Sequence, residues 1–149
     1  MTPPASDPHD LQRFLDAQAR VFEQVLAELR AGHKRTHWMW FIFPQIAGLG
    51  SSDIARRFAI SGRDEALAYL AHPTLGLRLR QCTELVNQIA GRIPNRAIAE
   101  IFGHPDDLKF HSSMTLFAAV APAEEVFRAA LETYFAAEPD PATLALLQS

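Results

Sequence analysis

Five X-Pro pairs divide the chain: Asp7-Pro8, His72-Pro73, His104-Pro105, Ala121-Pro122 and Asp140-Pro141. Proline fits the first helical position, whose N–H lacks an intrahelical partner anyway, and it cannot continue a helix arriving from before. Between these marks apolar residues recur at spacings of three and four, the period of one helix face. Leu11, Phe14, Leu15, Phe22, Val25, Leu26 and Leu29 form one stripe, with Gln18 and Val21 in the intervening turn. That stripe predicts an amphipathic helix of about six turns, opened by Asp7 as cap and stopped by Gly32. Leu75, Leu79, Cys82, Val86 and Ile89 predict a helix over 74–90, and Val126, Phe127, Ala130, Leu131, Tyr134 and Phe135 another over 123–136. Shorter helices are expected over 53–60, 62–71, 96–102 and 140–148, with a longer one running from Pro105 toward Ala121-Pro122. The predicted fold is all-α, with about seven or eight helices around a central tryptophan-rich segment. No repeat, low-complexity run or linker interrupts it.

That central segment is His37-Trp38-Met39-Trp40-Phe41-Ile42-Phe43-Pro44-Gln45. It holds both tryptophans, and six apolar residues run unbroken from Trp38 to Phe43. A surface element would alternate, so burial on more than one side is expected. The composition favours a strand. No second strand is legible, however, and a lone strand leaves its backbone unpaired. A short helical turn inside the core is therefore predicted, capped by Thr36 and ended by Pro44. Two roles are open to it: a core plug, or a pocket floor with His37 and Gln45 at the polar edge.

A chain of 149 residues, 48% hydrophobic, suits one domain with one core. The expected layout is a flexible arm over 1–6 and a single helical domain over 7–149. No apolar run is long enough for a membrane span, and the start of the chain lacks the basic-then-apolar order of a secretory signal. Cys82 is the only cysteine, so an intrachain disulfide is impossible and a reducing, cytoplasmic setting is expected. On its helical stripe Cys82 reads as a small buried hydrophobe. The net charge of −3 conceals an asymmetry: residues 30–96 carry ten Lys and Arg against four acids, while the remainder carries four bases and thirteen acids. A basic middle suits an anionic ligand. The pI of about 6.0 counts against a dedicated nucleic-acid binder.

The residues with chemistry to offer are few. Ile46 to Ser52 is a glycine- and serine-rich loop, with Ser51 or Ser52 able to cap the helix that carries Arg56 and Arg57. It lacks the P-loop and dinucleotide spacings and reads first as an ordinary turn. His104, Asp107 and His111 share one face at helical spacing, but His104 precedes a proline and falls outside the helix. Two ligands do not make a metal site, so no metal and no cofactor are expected. Lys109, His111, Ser112 and Ser113 offer a cation, a proton carrier and hydroxyl donors. His37 and Lys109 are the candidates for proton transfer. Trp38, Trp40, Gln45, Arg57 and Ser112 are the candidate ligand contacts, since indoles stack flat rings and Arg or Lys holds phosphate. The expected function is binding or turnover of a small anionic, nucleotide-like molecule. The alternative is a protein-interaction module in which the tryptophan segment is purely structural.

His37 to Gln45 followed by Ala47-Gly48-Leu49-Gly50 resembles an uncharacterised bacterial family, domain of unknown function 1810. Tyr69-Leu70-Ala71-His72-Pro73, Glu100-Ile101-Phe102-Gly103, Pro105-Asp106-Asp107-Leu108-Lys109 and Ser112-Ser113-Met114-Thr115-Leu116-Phe117 carry the same resemblance. It spans roughly residues 9 to 147 and implies a small multi-helical fold with no known activity. The label "calpastatin" sometimes attached to such chains does not suit this one. An inhibitor of that type is long, disordered and repetitive, and this chain is short, half apolar and helical.

Overall fold

The helix Asp106–Val120 explains the arrangement of the rest. Phe110, Met114, Leu116, Phe117 and Val120 are buried, and so are Ser112, Ser113 and Thr115 between them. A helix buried on nearly every face has to be surrounded. In the computed structural model, which describes residues 6–149, that helix is α8 of ten. The others are α1 (Gln12–Gln18), α2 (Phe22–Ala31), α3 (Met39–Ile42), α4 (Asp53–Arg57) and α5 (Arg63–Ala71), followed by α6 (Leu75–Arg92), α7 (Ile98–Phe102), α9 (Glu125–Phe135) and α10 (Pro141–Gln148). Helices α3, α5, α7, α9 and α10 all pack on α8, and α6 lies against α2, α3, α5 and α9. Apart from Ser6, the predicted arm lies outside the described residues.

The all-α class holds, and the helix number rises to ten for two reasons. The predicted first helix divides after Gln18, and the tryptophan segment contributes its own turn, α3. Neither glycine nor proline marks the division. Gln18 is buried, and its amide donates to the Phe41 carbonyl at 2.8 Å while its oxygen accepts from Arg78 at 3.1 Å. A carbonyl at the end of a short helix needs such a partner, and this one comes from α1.

Several expected caps are replaced. Asp7 does cap the chain's entry, through the N–H groups of Leu11 and Gln12. Pro141 sits in the first turn of its helix behind an Asp140 cap, whereas Pro8, Pro73, Pro105 and Pro122 all precede theirs. Thr36 does not cap α3, and although Asn95 stands where a cap for the helix over 96–102 is expected, it does not cap α7. Asn95 takes a left-handed backbone instead (φ 61°), and the Glu100 side chain accepts the Ala97 N–H at 3.0 Å.

The core joins Phe43, Phe102 and Phe110 at ring separations of 4.9 to 5.8 Å, with Trp38 against the first two. Such pairs add roughly 0.5–1.5 kcal/mol each beyond burial. Cys82 is fully buried on α6, and desolvation pushes its thiol up to about 12. Beyond Ile46 the chain runs out of the core and returns at Phe58 and Ile60. There the Ile60 N–H donates to the Gln45 carbonyl and the Ala47 N–H to the Ile60 carbonyl, both at 2.8 Å. This isolated parallel bridge between Ile46 and Ile60 closes the loop that carries α4. Among the described residues there is no strand, and no helix is long and apolar enough to cross a membrane.

Candidate functional site

The tryptophan segment is held by a carboxylate ten residues upstream. Glu28, on α2, is 3% exposed. It accepts hydrogen bonds from the Arg35 N–H (2.6 Å), the Thr36 N–H (3.0 Å), the Thr36 hydroxyl (2.6 Å), the Trp38 indole N–H (3.0 Å) and the Gln24 amide (2.8 Å). Burial alone would raise its pKa. The Thr36 hydroxyl, the Arg35 and Thr36 N–H groups and Gln24 outweigh that and bring it to about 2. The anchored segment then turns its two indoles apart. Trp38 is 1% exposed and belongs to the core, whereas Trp40 is half-buried and reaches the surface.

Trp40 stands at the junction of two hollows. One is a cleft of about 390 Å³ between the 49–55 loop, the start of α8 and the start of α10. The other is a recess of about 120 Å³ inside the loop that the Ile46–Ile60 bridge closes. Gln45, Gly50 and Ala55 line both, as Trp40 does. Ser52 caps α4 through the Ala55 N–H at 3.2 Å and faces the cleft.

Lys109 lines the cleft, and Asp106 ties it to a second cation, Lys34, behind it. Lys34 Nζ lies 2.9 Å from one of its oxygens and Lys109 Nζ 3.4 Å from the other, so one carboxylate serves two ammonium groups. Lys34 also lies 5.2 Å from the Trp38 ring centre, and Lys109 lies 4.6 Å above that of Trp40. The opposite wall is built by α10. The single Ser112 hydroxyl proton is shared between the Leu108 carbonyl and Asp140 Oδ2, each at 3.1 Å. The same Oδ2 accepts from the Thr143 N–H and hydroxyl. His111 stacks on Phe135 at 4.1 Å and donates from Nε2 to the Glu138 carbonyl at 2.7 Å.

Of the residues singled out in the sequence, Trp40, Gln45, Lys109 and Ser112 come together on this cleft. Trp38 lies beneath it in the core. His37 is exposed and lines neither hollow. Arg57 turns over the Phe58 ring at 5.3 Å, and its neighbour Arg56 lines the recess instead. Lys34, Asp106, His111 and Asp140 complete the surroundings. In the sequence Asp140 stands out only as the residue before Pro141 at the start of the last helix, because its place on the cleft depends on α10 packing on α8. His104 pairs with Asp107 at 2.9 Å, while His111 is committed to Glu138. Among the described residues no three His, Cys, Asp or Glu side chains gather as metal ligands. A groove of about 470 Å³ beside Asp7 and His72 is larger, but both Asp7 oxygens and His72 Nδ1 already accept from backbone N–H groups.

The chain is similar to the conserved hypothetical protein Rv1873 from Mycobacterium tuberculosis, known from a crystal structure. The two share 55% identity over 96% of this chain and 99% of that one, with a TM-score of 0.91. No curated protein matches. Residues 8–147 match the family described as "Protein of unknown function (DUF1810)", and the chain belongs to that family.

Proposed function

We propose that this chain binds a small anionic, nucleotide-like ligand in the cleft beside Trp40. The observation that carries this reading is the placing of Lys109. Its ammonium lies 4.6 Å over a half-exposed indole, and it shares its counter-ion with a second lysine. A cation that has only part of a carboxylate retains attraction for an incoming anion. The indole beside it offers a flat apolar surface to a ring. Gln45 and Ser52 supply hydrogen-bonding groups along the same wall.

The alternative, a protein-interaction module, predicts a contiguous apolar patch of several hundred Å². The large apolar side chains exposed among the described residues are Ile54, Leu67, Leu77 and Leu108.

Thermal unfolding against nucleotides, sugar phosphates and dinucleotides tests the proposal. A ligand at about a hundred times its dissociation constant adds roughly 2.7 kcal/mol, which raises the midpoint by several degrees in a domain of this size. Lys109→Ala is expected to unfold near the wild-type midpoint without ligand and to lose the shift. A shift retained in Lys109→Ala, or no shift with any member of the panel, refutes the proposal.

A further inference from the structure

The lining of the cleft offers two kinds of group. In the first turn of α8 stands a donor, Lys109, with Lys34 behind it on Asp106. Where α10 docks on α8 stand acceptors. Asp140 gathers three donors on Oδ2, from Ser112 and twice from Thr143, and Oδ1 accepts none from the described residues. His111 donates Nε2–H to the Glu138 carbonyl. In the neutral ring that bond fixes the tautomer and leaves Nδ1 an acceptor. Both residues line the cleft, with Trp40 and Gln45 along its length.

An ion that is an acceptor all round suits only the first of these groups. At the other it meets a carboxylate, and like charges repel. A ligand that satisfies both carries its anionic group at one end and hydrogen-bond donors at the other. Resting on the ligand reading above, we infer that the cleft is built for a hydroxyl-bearing anion, a sugar phosphate or the sugar-phosphate part of a nucleotide. Its phosphate meets Lys109 and its hydroxyls meet Asp140. Asp140 is then the residue that selects sugar phosphates over simple anions.

The test compares inorganic phosphate with ribose 5-phosphate by titration calorimetry. The proteins are the wild type, Asp140→Asn, Asp140→Ser and Lys109→Ala. Asn and Ser are both good helix caps, so α10 keeps its start while the carboxylate is lost. A hydrogen bond to a charged acceptor is worth about tenfold or more in affinity. Ribose 5-phosphate is expected to bind wild type at least about tenfold more tightly than phosphate. Asp140→Asn and Asp140→Ser should remove that advantage and leave phosphate affinity unchanged or higher, while Lys109→Ala weakens both. Equal affinity for the two probes in wild type, or an advantage that survives both Asp140 substitutions, overturns the assignment of Asp140 and leaves the cleft reading in place. If neither probe binds, or if Lys109→Ala binds both as wild type does, the cleft reading falls and the Asp140 assignment with it.

Discussion

Replacing Glu28 by glutamine keeps the side chain's shape and removes its charge. Five donors converge on this carboxylate, and an amide in its place turns an NH₂ group toward some of them. The magnitude follows from the pKa, which falls from 4.5 to about 2 in the folded chain. At 1.36 kcal/mol per pH unit this is roughly 3 kcal/mol of stability. Because the folded value is the lower one, the contribution is complete above about pH 4.5 and is lost as pH falls toward 2. Glu28→Gln has nothing to titrate there. At neutral pH it is expected to unfold roughly 6–12 °C below wild type. Urea unfolding at pH 7, 5, 4 and 3 follows the gap between the two proteins, which should narrow steadily below pH 5. Other carboxylates titrate alike in both, so the difference isolates Glu28. A gap that stays constant from pH 7 to pH 3 would show that the charge contributes nothing and would refute the reasoning.

Two further outcomes can be checked on the folded chain alone. Gly76→Ala should normally gain helix propensity, but a Cβ there meets the Leu70 carbonyl oxygen at 2.1 Å. The backbone has to move, and a loss of about 1–3 kcal/mol is expected in urea unfolding; a gain would mean that the α5–α6 turn yields freely. Burial holds the Cys82 thiol protonated at neutral pH, so an aromatic disulfide reagent should label the native chain only as it opens. Labelling as fast as in urea-unfolded protein would contradict the packing of α6.

The sequence carried the helices better than their joins, and the reason is one of range. The stripes of α6 and α9 repeat along the chain itself, and periodicity reports them directly. The division after Gln18 depends on Phe41, twenty-three residues away, and Thr36 turns to Glu28 rather than to the helix that follows it. Neither preference has a local signature. The candidate site divides along the same line. Trp40, Gln45, Lys109 and Ser112 meet on one cleft, but nothing in two tryptophans spaced two apart says which faces outward. That is decided by Glu28, which draws the Trp38 indole N–H inward. Arg56 and Arg57 likewise differ only by the 100° between successive helical positions. Asp140 reaches the cleft only because α10 docks on α8, and no spacing announces it.

The bridge between Ile46 and Ile60 has a consequence for whatever enters beside Trp40. Bringing the ends of a loop of this length together costs roughly 2 kcal/mol of chain entropy, beyond a constant term. Folding meets that cost through two hydrogen bonds beside buried isoleucines. The wall carrying Gln45, Gly50, Ser52 and Ala55 is thus preorganised, and a molecule settling there has mainly side chains to order. Association should accordingly proceed without a slow ordering step and with only a small heat-capacity change from the backbone.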